Sequence, residues 1–472
     1  MSAPETTPRA PGRLRRRAVS PDAVLAVLLP LACAGALVLV RPDVVASGGQ
    51  DPVRSELTAA SLVCPGAPSP GRRDGDRIGV TTLAGGPEQQ VRGEVEVWLG
   101  DQARAVPVRG GRVATLQPGS GPVVVTGTGA LAPALVAGRS GQVPVVAAAC
   151  GPTTSDQWFT AVGAGAAHGS VVELVNPNPG AAVADVSAWS PNGPLDVDRL
   201  RGITVPGDSS TRLDLAELVP RRGELTVRVS TLRGQLAATV LDTYDELGGG
   251  VRATEWLPGQ VAPTEENLLL GLARGSGERT LVLGNPGESE LRAEIKVVSP
   301  RAVFSPAGVE PVRVAPGTTQ KVALSTLLEE VADQGAIGLV VTANGPLTAT
   351  LRQFVDDDLS LLGPAEPVSS ATAVVLPRGR KRLLLADPNA VGVATVTALA
   401  ADGERLFSKT LDLKPGTGAN IELPDGAELV VLSLERTSVS ASVLVVADGS
   451  AVVPMRELIR TGLVPDVRPG LP

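Results

Sequence analysis

The chain has 472 residues, too many for one hydrophobic core, and 43% of them are apolar, too many for a disordered chain. The net charge of −7 is uneven: five arginines (Arg9, Arg13, Arg15, Arg16, Arg17) against Glu5 leave +4 on residues 1–20 and −11 on the rest. That acidic body excludes the basic surface that nucleic-acid binding needs, and 54 Gly with 41 Pro favour short strands joined by turns.

Residues 1–20 read as a basic cytoplasmic tail and residues 21–41 as a single-pass transmembrane anchor. From Ala23 to Val40 the chain reads AVLAVLLPLACAGALVLV, eighteen residues without a charge, at the short end of a bilayer span. The arginines precede it and no comparable excess follows, so the positive-inside rule puts the N-terminus in the cytoplasm. After a linker (42–54), the C-terminal bulk falls outside. A cleaved signal peptide ending near Val44-Val45-Ala46 is the alternative. Acylation at Cys33 fits less well: Pro30-Leu31-Ala32 precedes it and the apolar run continues beyond. Cys33 reads as a small apolar residue in lipid.

Residues 55–152 form a β domain bounded by Cys64 and Cys150. Both lie on the outer side, where disulfides persist. Paired, they close a loop of 86 residues, worth about 4–5 kcal/mol in the chain-entropy account; two separate buried thiols are the alternative. The strand EVEVWL (94–99) and the segment GPVVVTGTGALAPALV (121–136) read as a diverged copy of the units that follow.

Those units repeat at a period near 100 residues, over 153–260, 261–367 and 368–460, before a tail (461–472). The first landmark is a strand, Asn-Pro or Asp-Pro, and a second strand: VVELVNPNPGAAVADV (171–186), TLVLGNPGESELRAEI (280–295) and RLLLADPNAVGVATV (382–396). The second is ITVPGDSSTRLDL (203–215), VRVAPGTTQKVAL (312–324) and LDLKPGTGANIEL (411–423), its proline 29, 30 and 27 residues after the first. The third, ELTVRVSTLRGQLAATVLD (224–242) and its copies, reads as a hairpin. Within it Leu225, Val227 and Val229 share one face and Thr226 and Arg228 the other, the alternation of a half-buried strand. About seven strands per unit, beginning in the first at Trp158, Val171, Ala184, Ile203, Thr211, Leu225 and Ala237, predict all-β architecture: tandem immunoglobulin-like β-sandwiches. A helical turn such as LSTLLEEVAD (324–333) caps the sandwich. The period is too long for a propeller blade, and residues 160–260 should fold alone.

No catalytic constellation stands out. His168, the lone histidine, sits in GAGAAHGS and reads as an exposed turn residue; a triad would have to use it with Ser170, and no nucleophile elbow is present. One histidine and three cysteines cannot assemble a standard zinc site, and no cofactor is expected. Asp356-Asp357-Asp358, and Asp242 with Asp245 one unit earlier, read as solvated loops more readily than as a Ca²⁺ edge site. Gly248-Gly249-Gly250 reads as a flexible turn. The PRGRKR run (Arg378, Arg380, Lys381, Arg382) is a hairpin-tip charge cluster that acidic glycans or lipid headgroups would meet. Trp98, Trp158, Trp189 and Trp256 sit in or beside predicted strands and read as scarce large core residues; Trp158-Phe159 is the best candidate for an exception, as an interaction surface or as the seal of a junction between two domains. Paired carboxylates of a glycan-cleaving enzyme leave no sequence mark.

An anchor, Val63-Cys64-Pro65, Cys150-Gly151-Pro152, Asp156-Gln157-Trp158-Phe159 and Asn176-Pro177, in that order, resemble an actinobacterial family of membrane-anchored extracytoplasmic proteins of unknown function. The resemblance implies a cell-envelope setting and no activity. The expectation is a non-enzymatic envelope protein whose sandwiches meet a protein or a wall polymer, with edge strands open to strand addition; an enzyme or accessory subunit acting on envelope glycans is the alternative.

Overall fold

The structure is a computed structural model that describes residues 53–464 apart from 69–74, 85–90, 100–101, 143 and 246–251. The basic tail, the apolar run with Cys33, most of the linker and Gly248-Gly249-Gly250 lie outside the described residues. No helix among the described residues is long and apolar enough to cross a membrane.

Alternating apolar residues make strands here, and the sheets of the four domains each bury one face in a sandwich, while Val53–Glu56, exposed throughout, pairs with Thr461–Val464 in a separate two-stranded sheet. In the first domain one sheet runs Ala59–Cys64, Val123–Thr128, Arg92–Leu99, Gln102–Arg109, and the other Ala114–Leu116, Arg77–Thr82, Leu135–Gln142, Val145–Ala149. Counted in chain order, the strands lie first-sixth-third-fourth and fifth-second-seventh-eighth. The second domain (Asp156–Ala164 to Arg252–Leu257) and the fourth (Thr372–Val375 to Gly449–Pro454) repeat this order, the second adding Ile203–Val205 beside its third strand. In the third domain one 18-residue strand, Gly338–Val355, supplies both the sixth and seventh positions. The Cys-bounded segment is therefore a fourth copy of the same sandwich. Antibody domains put their first strand with the second and their seventh with the sixth; here those two edge strands are exchanged between the sheets.

All seven strands expected for the first repeat are present, with two that were not expected, Gly193–Leu195 within it and Arg252–Leu257 at its end. The third landmark is not a hairpin. Arg222–Arg233 pairs with Asp156–Ala164 and Ala182–Ser190, while Ala237–Asp245 pairs with His168–Asn176 and Arg252–Leu257. The two strands cross from one sheet to the other, because alternation records that a strand is half-buried and not who its neighbour is. Helices cap two domains at the same point, Leu215–Leu218 and Ser325–Asp333.

The first two landmarks are halves of one clamp. The Asn176 side-chain amide donates to the carbonyls of Gly180, Val205 and Pro206 at 2.8, 3.2 and 3.1 Å. Asn285 does the same to Ser289, Val314 and Ala315 at 2.8, 3.1 and 3.1 Å. In the last copy the position is Asp387, whose carboxylate has no N–H to donate. It is exposed, with φ 54°, and the proline spacing there drops to 27.

Residues Ser55–Gly462 form one compact unit in which the four sandwiches close into a ring. The eighth strands meet at its middle: Val145–Ala149 packs on Arg252–Leu257 and Gly449–Pro454, and Asp358–Leu362 packs on the same two. The second domain's core takes in Phe354, Leu359 and Leu361 from the third, and the fourth domain's core takes in Val145 and Ala147 from the first. Fourth and first are joined by a further cluster that includes Leu83, Val136, Val375 and Val431, by Val145 N–H to Asp448 O at 2.7 Å and by Arg77 to Glu428 at 3.1 Å. Gly138 is required there: a Cβ on it would stand 2.8 Å from the Val375 carbonyl oxygen.

Candidate functional site

Cys64 and Cys150 form a disulfide, tying the first strand of the first domain to the residue that follows its eighth. Trp158 and Phe159 are 7% and 1% exposed, so neither offers a surface. Phe159 fills the second domain's core. Trp158 stacks on Trp189 with centroids 5.1 Å apart, under the Arg228 guanidinium, which Asp156 holds at 2.7 Å. On the same sheet Thr160 bonds to Thr348 of the third domain at 2.5 Å, and Thr226 accepts from Thr319 at 3.0 Å. The face carrying this aromatic pair is thus the second domain's side of a junction.

His168 is buried, 8% exposed, and begins a strand instead of standing in an exposed turn; packing of the third domain covers it. Its Nε2 lies 2.9 and 3.0 Å from the two Asp242 oxygens, and its Nδ1 is 3.0 Å from Arg352 of the third domain. Arg352 also donates to Glu224 at 2.7 Å. Ser170 donates its hydroxyl proton to Asp242, not to His168, so the imidazole is not the base on this serine and the group is not arranged as a Ser-His-Asp triad. Burial opposes charge on His168, but Asp242 and Glu224 outweigh it and raise its pKa. Sequence reasoning missed this cluster because Arg352 arrives from a different repeat.

The two charge runs come together. A cleft of about 590 Å³ between the third and fourth domains is lined by Arg380, Lys381 and Arg382 on one side and Asp356 and Asp358 on the other. The acidic run is a hairpin turn. Val355 pairs with Asp358, and Asp356 and Asp357 take φ 52° and 64°, the left-handed pair that a two-residue turn needs and aspartate tolerates. Asp358 Oδ2 accepts from Ser450 N–H at 2.6 Å; burial nevertheless pushes its carboxyl up to about 6.

The basic run opens a strand, Arg380–Ala386, instead of capping a hairpin. Its residues divide by role. Arg378 donates to Glu428 at 2.9 Å, the same carboxylate that Arg77 of the first domain uses, so it belongs to the ring closure. Lys381 is 2% exposed, donating to the carbonyls of Gly379 and Asp425 at 2.8 and 2.9 Å, and burial lowers its pKa to about 8. Arg380 and Arg382 face the cleft, where Arg274 of the third domain joins them. Nothing in the sequence around Arg274, a single arginine in a Gly/Ser loop, marks it. Glu255 is another perturbed acid. It is 3% exposed, its carboxyl pushed well up by burial, and Oε2 has no partner; it does not line the cleft. Among the described residues no group of three or more His, Cys, Asp or Glu side chains is placed to hold a metal ion.

A sequence comparison matches residues 111–424 to the Family of unknown function (DUF5719). The match runs from inside the first sandwich into the fourth and leaves out the Val63-Cys64-Pro65 motif. No curated protein matches the chain.

Proposed function

The chain belongs to this family of unknown function, and we propose that it is a membrane-anchored, extracytoplasmic protein of the cell envelope that works by binding a wall polymer or a protein, not by catalysis. The apolar run at 23–40 with arginines before it supports the anchor, and the Cys64–Cys150 disulfide supports an oxidising compartment. One observation carries the binding reading. The buried polar clusters around His168, Glu428 and the Thr160–Thr348 pair are engaged in joints between sandwiches, whereas the arginines of the third-fourth cleft are not. Cross-linking on intact cells, with the tagged chain recovered and analysed by mass spectrometry, tests it. Glycan-linked material or one dominant partner protein supports the reading; recovery of the bare chain alone counts against it.

Asp358 favours a second reading, an enzyme or accessory subunit acting on envelope glycans. Its carboxyl lines the cleft and is raised to about 6, toward the range of a general acid. Glycan release by the purified chain that disappears in Asp358→Asn would establish that reading; release unchanged by the substitution would end it.

A further inference from the structure

The third-fourth cleft gathers more positive charge than its own packing uses. Arg380 and Arg382 are two residues apart on one strand and so share a face. Arg274 approaches from the other domain, out of the loop between Thr264–Leu270 and Gly277–Asn285. Among the described residues none of the three side chains makes a hydrogen bond or an ion pair; the nearby Arg378 and Lys381 are both engaged. Burial and the Arg274 charge lower the Arg382 pKa, although Glu422 stands opposite it in the neighbouring strand. Like charges drawn from two domains into one concavity repel each other, and an anion between them removes that cost.

The donor geometry narrows the anion. Three guanidinium forks present more N–H groups than the two oxygens of a planar carboxylate can accept, and they match a tetrahedral oxyanion. The acids on the same walls narrow it further. Four carboxylates, Asp356, Asp358, Glu422 and Asp425, line the cleft with the basic residues; Asp358 is tied to Ser450, but the side chains of Asp356, Glu422 and Asp425 have no hydrogen-bond donor among the described residues. Beside a bare phosphate they would be repelled; beside sugar hydroxyls they are acceptors. A volume of about 590 Å³ falls within the ordinary size of a small-molecule site.

We propose that this cleft binds a phosphate-bearing glycan, with Arg274, Arg380 and Arg382 on the phosphate and Asp356 and Glu422 on the sugar hydroxyls. The proposal rests on the envelope reading for where such a ligand is met, but not for the site itself. The test is calorimetric titration of the full chain, in detergent micelles, with N-acetylglucosamine 1-phosphate, N-acetylglucosamine and inorganic phosphate. The sugar phosphate is expected to bind one to one and more weakly as salt rises. Replacing the exposed pair, Arg274→Ser with Arg380→Ser, should weaken it by about tenfold or more without moving the melting temperature, and Arg382→Lys should recover part of what Arg382→Ser loses. Absence of saturable binding, or unchanged affinity in the double variant, would overturn the site. Equal affinity for inorganic phosphate or for the uncharged sugar would overturn the glycan assignment. Protease protection on intact cells that places the sandwiches inside would defeat the envelope reading and leave these affinities untouched.

Discussion

Individual side chains show how the molecule joins one repeat to the next. Asp242 and Glu224 of the second domain face His168 and the Arg352 guanidinium of the third, with Glu278 and the Tyr244 ring beside the arginine. With His168 neutral, Nε2–H donates to Asp242 and Nδ1 accepts from Arg352. With His168 charged, Nδ1–H has Glu224 Oε2 at 3.5 Å, an oxygen that otherwise has no partner. Because the folded pKa is raised, this group's stabilisation is complete below the ordinary imidazole value of about 6.5 and is lost as pH rises through the folded value. The Asp358 carboxyl, raised to about 6, acts in the same direction: its contribution is present below the ordinary carboxylate range and lost as pH rises through 6. Thermal unfolding across pH 5–7.5 should therefore show stability falling with rising pH, below the range in which Lys381, lowered to about 8, acts in the opposite direction. His168→Gln should flatten the upper part of that fall, and an unaltered slope in the variant would remove histidine from the account.

At the level of elements, the Asn-Pro and Pro-Gly landmarks were legible as turns, and their fixed separation was legible as a repeat. What the spacing could not show is that one asparagine amide joins the two turns. Asn285→Asp would set a carboxylate against the carbonyls of Ser289, Val314 and Ala315. The expected cost is about 2–3 kcal/mol, from lost hydrogen bonds and buried like dipoles, read as a lower denaturation midpoint with an unchanged slope. The last repeat already carries Asp387 there, so Asp387→Asn should cost far less than its reverse in the third domain. The hairpin expectation failed for a related reason: two alternating strands joined by a short turn look the same whether they pair or cross between sheets, and the third domain dispenses with the turn altogether.

For the whole molecule, the ring changes what a domain means. Residues 160–260 read as an autonomous unit, yet that sandwich borrows Phe354, Leu359 and Leu361 from the next, so a fragment cut at 260 leaves its core short of three large side chains. Closure depends on backbones approaching at Gly138. Gly138→Val would drive a side chain into the Val375 carbonyl, 2.8 Å from the glycine's implied Cβ, and neither backbone can yield. A loss of about 1–3 kcal/mol is expected, with the fourth domain released from the first: a larger radius of gyration in solution scattering, the disulfide intact. A variant that scatters like the parent would show that closure does not depend on this contact.

The sequence by itself determined strand content, the tandem repeat, the disulfide cysteines and the turn positions, because each of these is written in neighbouring residues: alternation, proline, glycine and paired cysteine. Only the tertiary structure decided that the Cys-bounded domain shares the wiring of the others, that Trp158 stacks on Trp189 at a joint between domains, and that the lone histidine is a joint and not a turn. It also brought Arg274 to the PRGRKR run, and the acidic turn to face both. Those outcomes depend on which face of one sandwich meets which face of the next, and that choice is made by the fit of side chains more than a hundred residues apart, for which no local pattern exists.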